Sequence, residues 1–170
     1  MKNKFLLCCL ILSIQGCSTD PNSPNYPISQ VEVKPQTYTY LNLTDNKSDL
    51  WKKARNYIAS AFGNSKAVLR VEDDADGTLI GKGLIQWKML DNALSPFCYS
   101  NYDIRFVAKE NKARLQLELL PGVPAGSECV AWQLPSRYGY NQILMKFSDI
   151  SSQLENSLRG EGKIESMSDF

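Results

Sequence analysis

The chain contains no histidine. Histidine is the usual base of nucleophilic triads and the commonest side-chain ligand of metals, so its absence counts against both chemistries. Charge of one sign is equally scant: 19 basic and 18 acidic residues leave +1. Nucleic-acid binders need a surplus of Lys and Arg to neutralise phosphates, and the whole-chain sum offers none. Cysteine is sparse, with five in 170 residues. Beyond one run near the start, no apolar stretch approaches the roughly 20 residues that a membrane helix needs.

The chain starts with the seventeen residues MKNKFLLCCLILSIQGC. Lys2 and Lys4 make a short basic head. Phe5 to Ile14 make an apolar run, too short to span a bilayer as a mature helix. A core helix would carry polar positions every few residues, and an ordinary secretory signal would end in an A-x-A-like site. This run ends instead in Ile14-Gln15-Gly16-Cys17. A small residue directly before cysteine, after an apolar run, resembles the lipobox of bacterial lipoproteins. The resemblance implies a signal peptide over residues 1–16, cut before Cys17, and a Cys17 thiol acylated with a chain such as palmitate. In that class the new amine usually receives a further chain. Two or three chains hold stably, since each buried methylene adds about 0.8 kcal/mol. Ser18, instead of aspartate, follows the cysteine. In a Gram-negative envelope this resembles lipoproteins sent on to the outer membrane, so the expected location is that membrane, facing the periplasm.

Removal of residues 1–16 leaves about 154, enough for one domain. Cys8 and Cys9 leave with the signal and lipid takes Cys17. Cys98 and Cys129 remain, an even pair in an oxidising compartment, which reads as a disulfide. The alternatives are two free buried thiols or a metal pair. Two cysteines without histidine rarely make a closed zinc site.

Residues 17–35 read as the lipidated cysteine and a tether, punctuated by Pro21, Pro24, Pro27 and Pro35. Such a stretch prefers extended conformations at about 3.1 Å per residue and would reach roughly 50 Å. Residues 36–158 read as the domain. Tyr38 to Leu41 alternates as a first strand. Asn46 to Phe62 reads as a helix, with Leu50, Trp51, Ala54, Tyr57, Ile58, Ala61 and Phe62 on one stripe and Gly63 closing it. Four strands follow, at 67–72, 78–87, 99–108 and 113–119. Asp76-Gly77 is a hairpin signal between the first two. The third and fourth alternate strictly, so one sheet face is buried and the other wetter. Residues 120–139 read as a long Pro- and Gly-rich loop that Cys129 staples. Residues 140–158 read as a second helix, and 159–170 as a flexible tail. The expectation is an α+β, two-layer sandwich in the order β-α-β-β-β-β-α, with a curved antiparallel sheet on two helices.

Val68 to Gly83 carries an E-D-x-x-x-G-x-x-x-G-K-G pattern from Glu72 to Gly83, after a helix containing Trp51. A K-x-x-K-x-R turn (Lys109, Lys112, Arg114) comes later. Together these resemble a bacterial domain-of-unknown-function family with a fold like that of the TATA-binding protein (TBP-like), over about residues 37 to 158. Members are usually exported. The resemblance implies that fold and no assigned activity, so it carries no catalytic residue across. From the residues themselves, Gly77 suits a turn with positive φ, and Gly81 and Gly83 suit a strand bulge, bend or close approach.

Enzyme chemistry finds little footing. Gly77 to Gly83 lacks the glycine spacing of a phosphate loop, and no Ser or Thr follows Lys82. Glu72, Asp74, Asp76 and Gly77 mimic a calcium loop, but its twelfth position falls on Gly83. No Ser-x-x-Lys stands convincingly at a helix start. The expectation is no enzyme, no cofactor and no metal. The reading is a lipid-anchored, periplasm-facing binding or scaffold module of the cell envelope, attached to the membrane by its N-terminal lipid. Its partner would be an envelope protein or polymer, and not nucleic acid. The alternative is an envelope hydrolase working through carboxylates.

Overall fold

The computed structural model describes residues 20, 23–61 and 67–161. The expected signal peptide, Cys17, Phe62, Gly63 and residues 162–170 lie outside the described residues. Five strands form one sheet: β1 (Gln36–Tyr40), β2 (Ala67–Asp73), β3 (Thr78–Lys88), β4 (Phe97–Lys109) and β5 (Lys112–Leu119). Helix α1 (Lys47–Ala61) joins β1 to β2, and α2 (Arg137–Arg159) follows β5. The sheet order is β1-β5-β4-β3-β2, antiparallel throughout. This is the expected α+β order with two helices and one sheet.

The strands follow from alternation. Every second residue of β3, β4 and β5 is buried, and the residues between are exposed or half-buried. Helix α1 buries Leu50, Ala54, Tyr57 and Ile58, a spacing that makes one stripe. Asn46 caps it: its Oδ1 accepts from the Asp49 N–H at 2.9 Å, and its amide donates back to Asp49 at 2.8 Å. Both helices lie on the same sheet face. Phe147 of α2 meets Tyr102 of β4 with ring centroids 5.0 Å apart. Buried tyrosines fasten α2 to the rest. The hydroxyl of Tyr40 contacts the Ser151 hydroxyl at 2.8 Å, and that of Tyr57 donates to the Ile150 carbonyl. Burial pushes the Tyr57 phenol up to about 12.

Helix α2 starts at Arg137, three residues before the expected start. Gly139 suggests a loop by propensity. In the fold it lies in the first turn against the indole of Trp87, where a Cβ would fall 2.3 Å from the ring. Ser136 caps the helix, accepting from the Gly139 N–H at 3.0 Å and donating to the Met89 carbonyl at 2.8 Å.

Among the described residues, the pairing of β2 with β3 reaches Gly83, and β3 runs on to Lys88. Side chains of helix α2 meet the backbone of that last stretch of β3. The Gln142 amide accepts from the Lys88 N–H at 3.1 Å and donates to its carbonyl at 3.0 Å, as a neighbouring strand would. Lys146 donates to the Gln86 carbonyl. Backbone groups at a strand edge are thus satisfied by side chains.

The tether reading needs correction over its second half. Residues 24–33 pack against the start of α2. Pro27 bridges to Ser136, Tyr138 N–H donates to the Pro24 carbonyl, and Arg137 N–H donates to that of Tyr26. Ile28 is buried at 3% exposure. Its apolar side chain, set among prolines, finds a core, and this is the physical reason the stretch docks. A 3-10 turn, Gln30–Glu32, follows, and Glu32 pairs with Arg137.

Glu32 is held down to about 2, from an ordinary 4.5, first by its hydrogen bond with Arg137 and then by those with Ser29. A carboxyl lowered by folding stabilises the fold above its unfolded value, and that contribution is lost as pH falls towards 2. Glu32→Gln should therefore flatten the stability–pH curve between about 5 and 2. Acid titrations of wild type and variant that run parallel across that window would contradict the pairing.

Candidate functional site

The helices cover one face of the sheet and no described element covers the other. The second face carries Lys82 and Lys88 from β3, Arg105 and Lys109 from β4, and Lys112 and Arg114 from β5. Asp103 and Glu118 are the carboxylates that these three strands place there, directly opposite each other. Lys82 lies 3.6 Å from Asp103, and Lys88 stands over the ring of Phe97. Ile80, Leu84, Tyr99 and Val107 lie half-buried between the charges. The near-neutral sum of the whole chain therefore conceals a cationic face.

The cations gather at one end. A row across the sheet places Thr39 of β1, Arg114 of β5 and Val107 of β4 side by side. Lys109 and Lys112 face each other across the two-residue turn Glu110-Asn111. These residues, with Leu41 and Ala113, line an open cleft of about 380 Å³. Arg114 Nε donates to the Thr39 hydroxyl at 3.3 Å. Among the described residues, none of Lys109, Lys112 and Arg114 is in an ion pair. Glu110, the carboxylate in the turn, accepts instead from the Lys47 N–H that begins α1, at 3.3 Å. Asn111 adopts φ 60° and donates its N–H to the Asp45 carbonyl and its side-chain amide to that of Leu43. The turn is thus tied to the chain that leads into α1.

The glycines named from the sequence lie elsewhere. Gly77 has φ +70°, and a Cβ there would sit 2.6 Å from the Ala108 carbonyl. Gly83 lies under the ring of Tyr102, 2.2 Å from where its Cβ would be. Gly81 pairs with Leu69 and Ile104, at the place where the β2 register shifts. All three are explained by close packing or turn geometry. The acidic turn is likewise consumed internally: Glu72 pairs with Arg55, Asp74 accepts from Ser48, and Asp73 accepts from the Asp76 N–H. Among the described residues, no three His, Cys, Asp or Glu side chains are grouped to hold a metal.

Cys98 and Cys129 are joined, with Cα atoms 5.3 Å apart. Both are buried. Around them, Ser127 Oγ accepts from the N–H groups of Tyr99 and Cys129. Glu128 accepts from the Phe97 N–H through its carboxylate and returns its own N–H to the Phe97 carbonyl. The long loop after β5 is therefore held along the start of β4.

Lys109, Lys112 and Arg114, a motif without a role in the sequence, come together at the cleft. Two lysines flanking a two-residue turn must oppose each other on one sheet face, and this spacing is the signal of it in the sequence.

An antiparallel five-stranded sheet backed on one face by two helices defines a TBP-like α+β protein. Residues 43–120 match a family described as a domain of unknown function (DUF4468) with TBP-like fold. A DUF4468 family protein from Bacteroides ovatus is similar in structure, with a TM-score of 0.58 and 14% identity, over 84% of this chain and 96% of that one. A TBP-like protein from Parabacteroides distasonis gives 0.49 and 9%, over 78% and 98%. The likeness to the Bacteroides ovatus protein shows the fold alone. No curated protein matches the chain.

Proposed function

We propose that the protein is a lipid-anchored, periplasm-facing module of the bacterial cell envelope, and that it binds a partner with the uncovered sheet face. The observation that carries the binding role is that face: it presents six cations and half-buried apolar side chains, and neither helix packs on it. The anchor rests on the basic head, apolar run and Gly16-Cys17 of the first seventeen residues, and its placement in the outer membrane on Ser18. Because residues 24–33 dock on the domain, the six residues 18–23 would separate Cys17 from the folded body. At about 3.1 Å each they reach roughly 20 Å, so the domain would sit close to the membrane.

In this reading the domain binds and does not catalyse. Asp103 and Glu118 oppose each other on the open face, but Asp103 is paired with Lys82. Glu32 is held ionised by Arg137, which suits structure and not proton donation. Labelled palmitate tests the anchor. Wild type should take up label and fractionate with the outer membrane, and Cys17→Ser should do neither. Equal labelling of the two would remove the anchor, and wild type retained in the inner membrane would remove its sorting.

A further inference from the structure

We propose that the cleft between β1, β4 and β5 binds a phosphate group carried on a small apolar body. The inference rests on the reading of the uncovered face as the working surface, and its choice of a soluble source rests also on the lipid anchor. Lys109 and Lys112 are directly opposite on adjacent strands, an arrangement that repels when nothing lies between. Arg114 is two residues along the same face from Lys112, and its Nε–H bond to Thr39 fixes the plane of the guanidinium. The carboxylate nearest in sequence, Glu110, is turned away to the first N–H of α1. Three cations converge without a carboxylate to balance them.

A doubly charged anion answers this charge better than a single carboxylate. A guanidinium fork engages two phosphate oxygens at once, and the two ammonium groups act as point charges beside it. The cleft is too large for the ion alone: about 380 Å³ falls within the range of small-molecule sites, roughly 300–1,000 Å³. Leu41, Val107 and the methyl of Thr39 supply apolar wall, and Leu41 is 54% exposed. A phosphate ester whose other half is apolar fills both halves of the site.

Geometry also selects the source of the phosphate. The cleft lies where β4 ends and β5 begins. The N-terminal segment docks at the opposite end, beside Ser136 and the end of β3. β4 has 13 residues and at about 3.4 Å each separates the two ends by roughly 40 Å. The cleft therefore faces away from the end where the chain enters, which favours a soluble phosphate ester over a lipid headgroup in the membrane that would hold the chain.

Calorimetric titration of the full chain in detergent tests this, with phenyl phosphate, inorganic phosphate, benzoate and mixed micelles containing phosphatidylglycerol as probes. Phenyl phosphate should bind saturably, and more tightly than either benzoate or inorganic phosphate. Lys109→Gln with Lys112→Gln should weaken it by about tenfold or more, as expected for lost charge-assisted bonds, with the melting temperature unchanged. Lys82→Gln with Lys88→Gln, on the same face but outside the cleft, should leave the affinity within about twofold. The proposal is overturned by no saturation up to about 10 mM, a Kd far weaker than small-molecule sites show. It is equally overturned by benzoate binding as tightly as phenyl phosphate, or by equal loss in the control pair. Binding to the lipid micelles alone would overturn it in favour of a headgroup. Failure here, with a partner still crosslinking to the open face, would remove the cleft and leave the surface.

Discussion

Reduction of the Cys98–Cys129 bond should destabilise the domain by about 3–4 kcal/mol. The two cysteines are 31 residues apart, and closing a loop of that length removes this much entropy from the unfolded chain in the chain-entropy model. For a domain of this size that corresponds to a fall of about 10–15 °C in Tm. The bond also holds the loop after β5 along the start of β4, where Ser127 and Glu128 satisfy the N–H groups of Tyr99 and Phe97. Those bonds should open with it. Thermal melting with and without reductant checks this, using Cys98→Ser with Cys129→Ser as the control. Reductant should lower the Tm of wild type to that of the double variant and leave the variant unmoved. A wild type whose thiols become alkylated under reductant, with no change in Tm, would contradict the account.

Trp87→Ala should cost about 3–5 kcal/mol. The indole is 2% exposed, donates from Nε1 to Ser100 Oγ at 3.0 Å, and forms the seat for the first turn of α2. Its removal leaves a cavity under Gly139 and releases the helix start. The same contact makes a second expectation of opposite sign to propensity. Gly139→Ala raises helix propensity by about 1 kcal/mol, yet its Cβ would lie 2.3 Å from an indole pinned by Ser100. The variant should therefore be less stable than wild type, since overpacking costs typically 1–3 kcal/mol. Chemical denaturation of both variants measures this. A stabilised Gly139→Ala would mean that the indole moves freely.

Period-2 alternation made the strands legible, because one face of each is buried and the other is not. Arg105 and Phe106, or Gln116 and Leu117, already announce opposite faces. The helical stripe of Leu50, Ala54, Tyr57 and Ile58 did the same for α1. What was not legible depended on contacts distant in sequence. Gly139 looks like a loop residue until Trp87, more than fifty residues earlier, lies against it. Ile28 looks like part of a proline-rich tether until the start of α2 offers it a core. The cationic face was hidden for a different reason. A net charge sums over all surfaces, and Asp73 at the end of β2, with Asp74 and Asp76 in the turn after it, cancels Lys109, Lys112 and Arg114 on paper while lying outside the cleft that those three cations line.

The central claim, that the uncovered sheet face meets a partner in the cell envelope, is tested most directly by photo-crosslinking in living cells. A photoreactive residue replaces Gln116 on the open face or, as the control, Met145 on the outer side of α2, which is 70% exposed. The account predicts a discrete adduct, sensitive to high salt as a cationic surface requires, from position 116 and none from position 145. Adducts from position 145 alone, or from neither position, would contradict it.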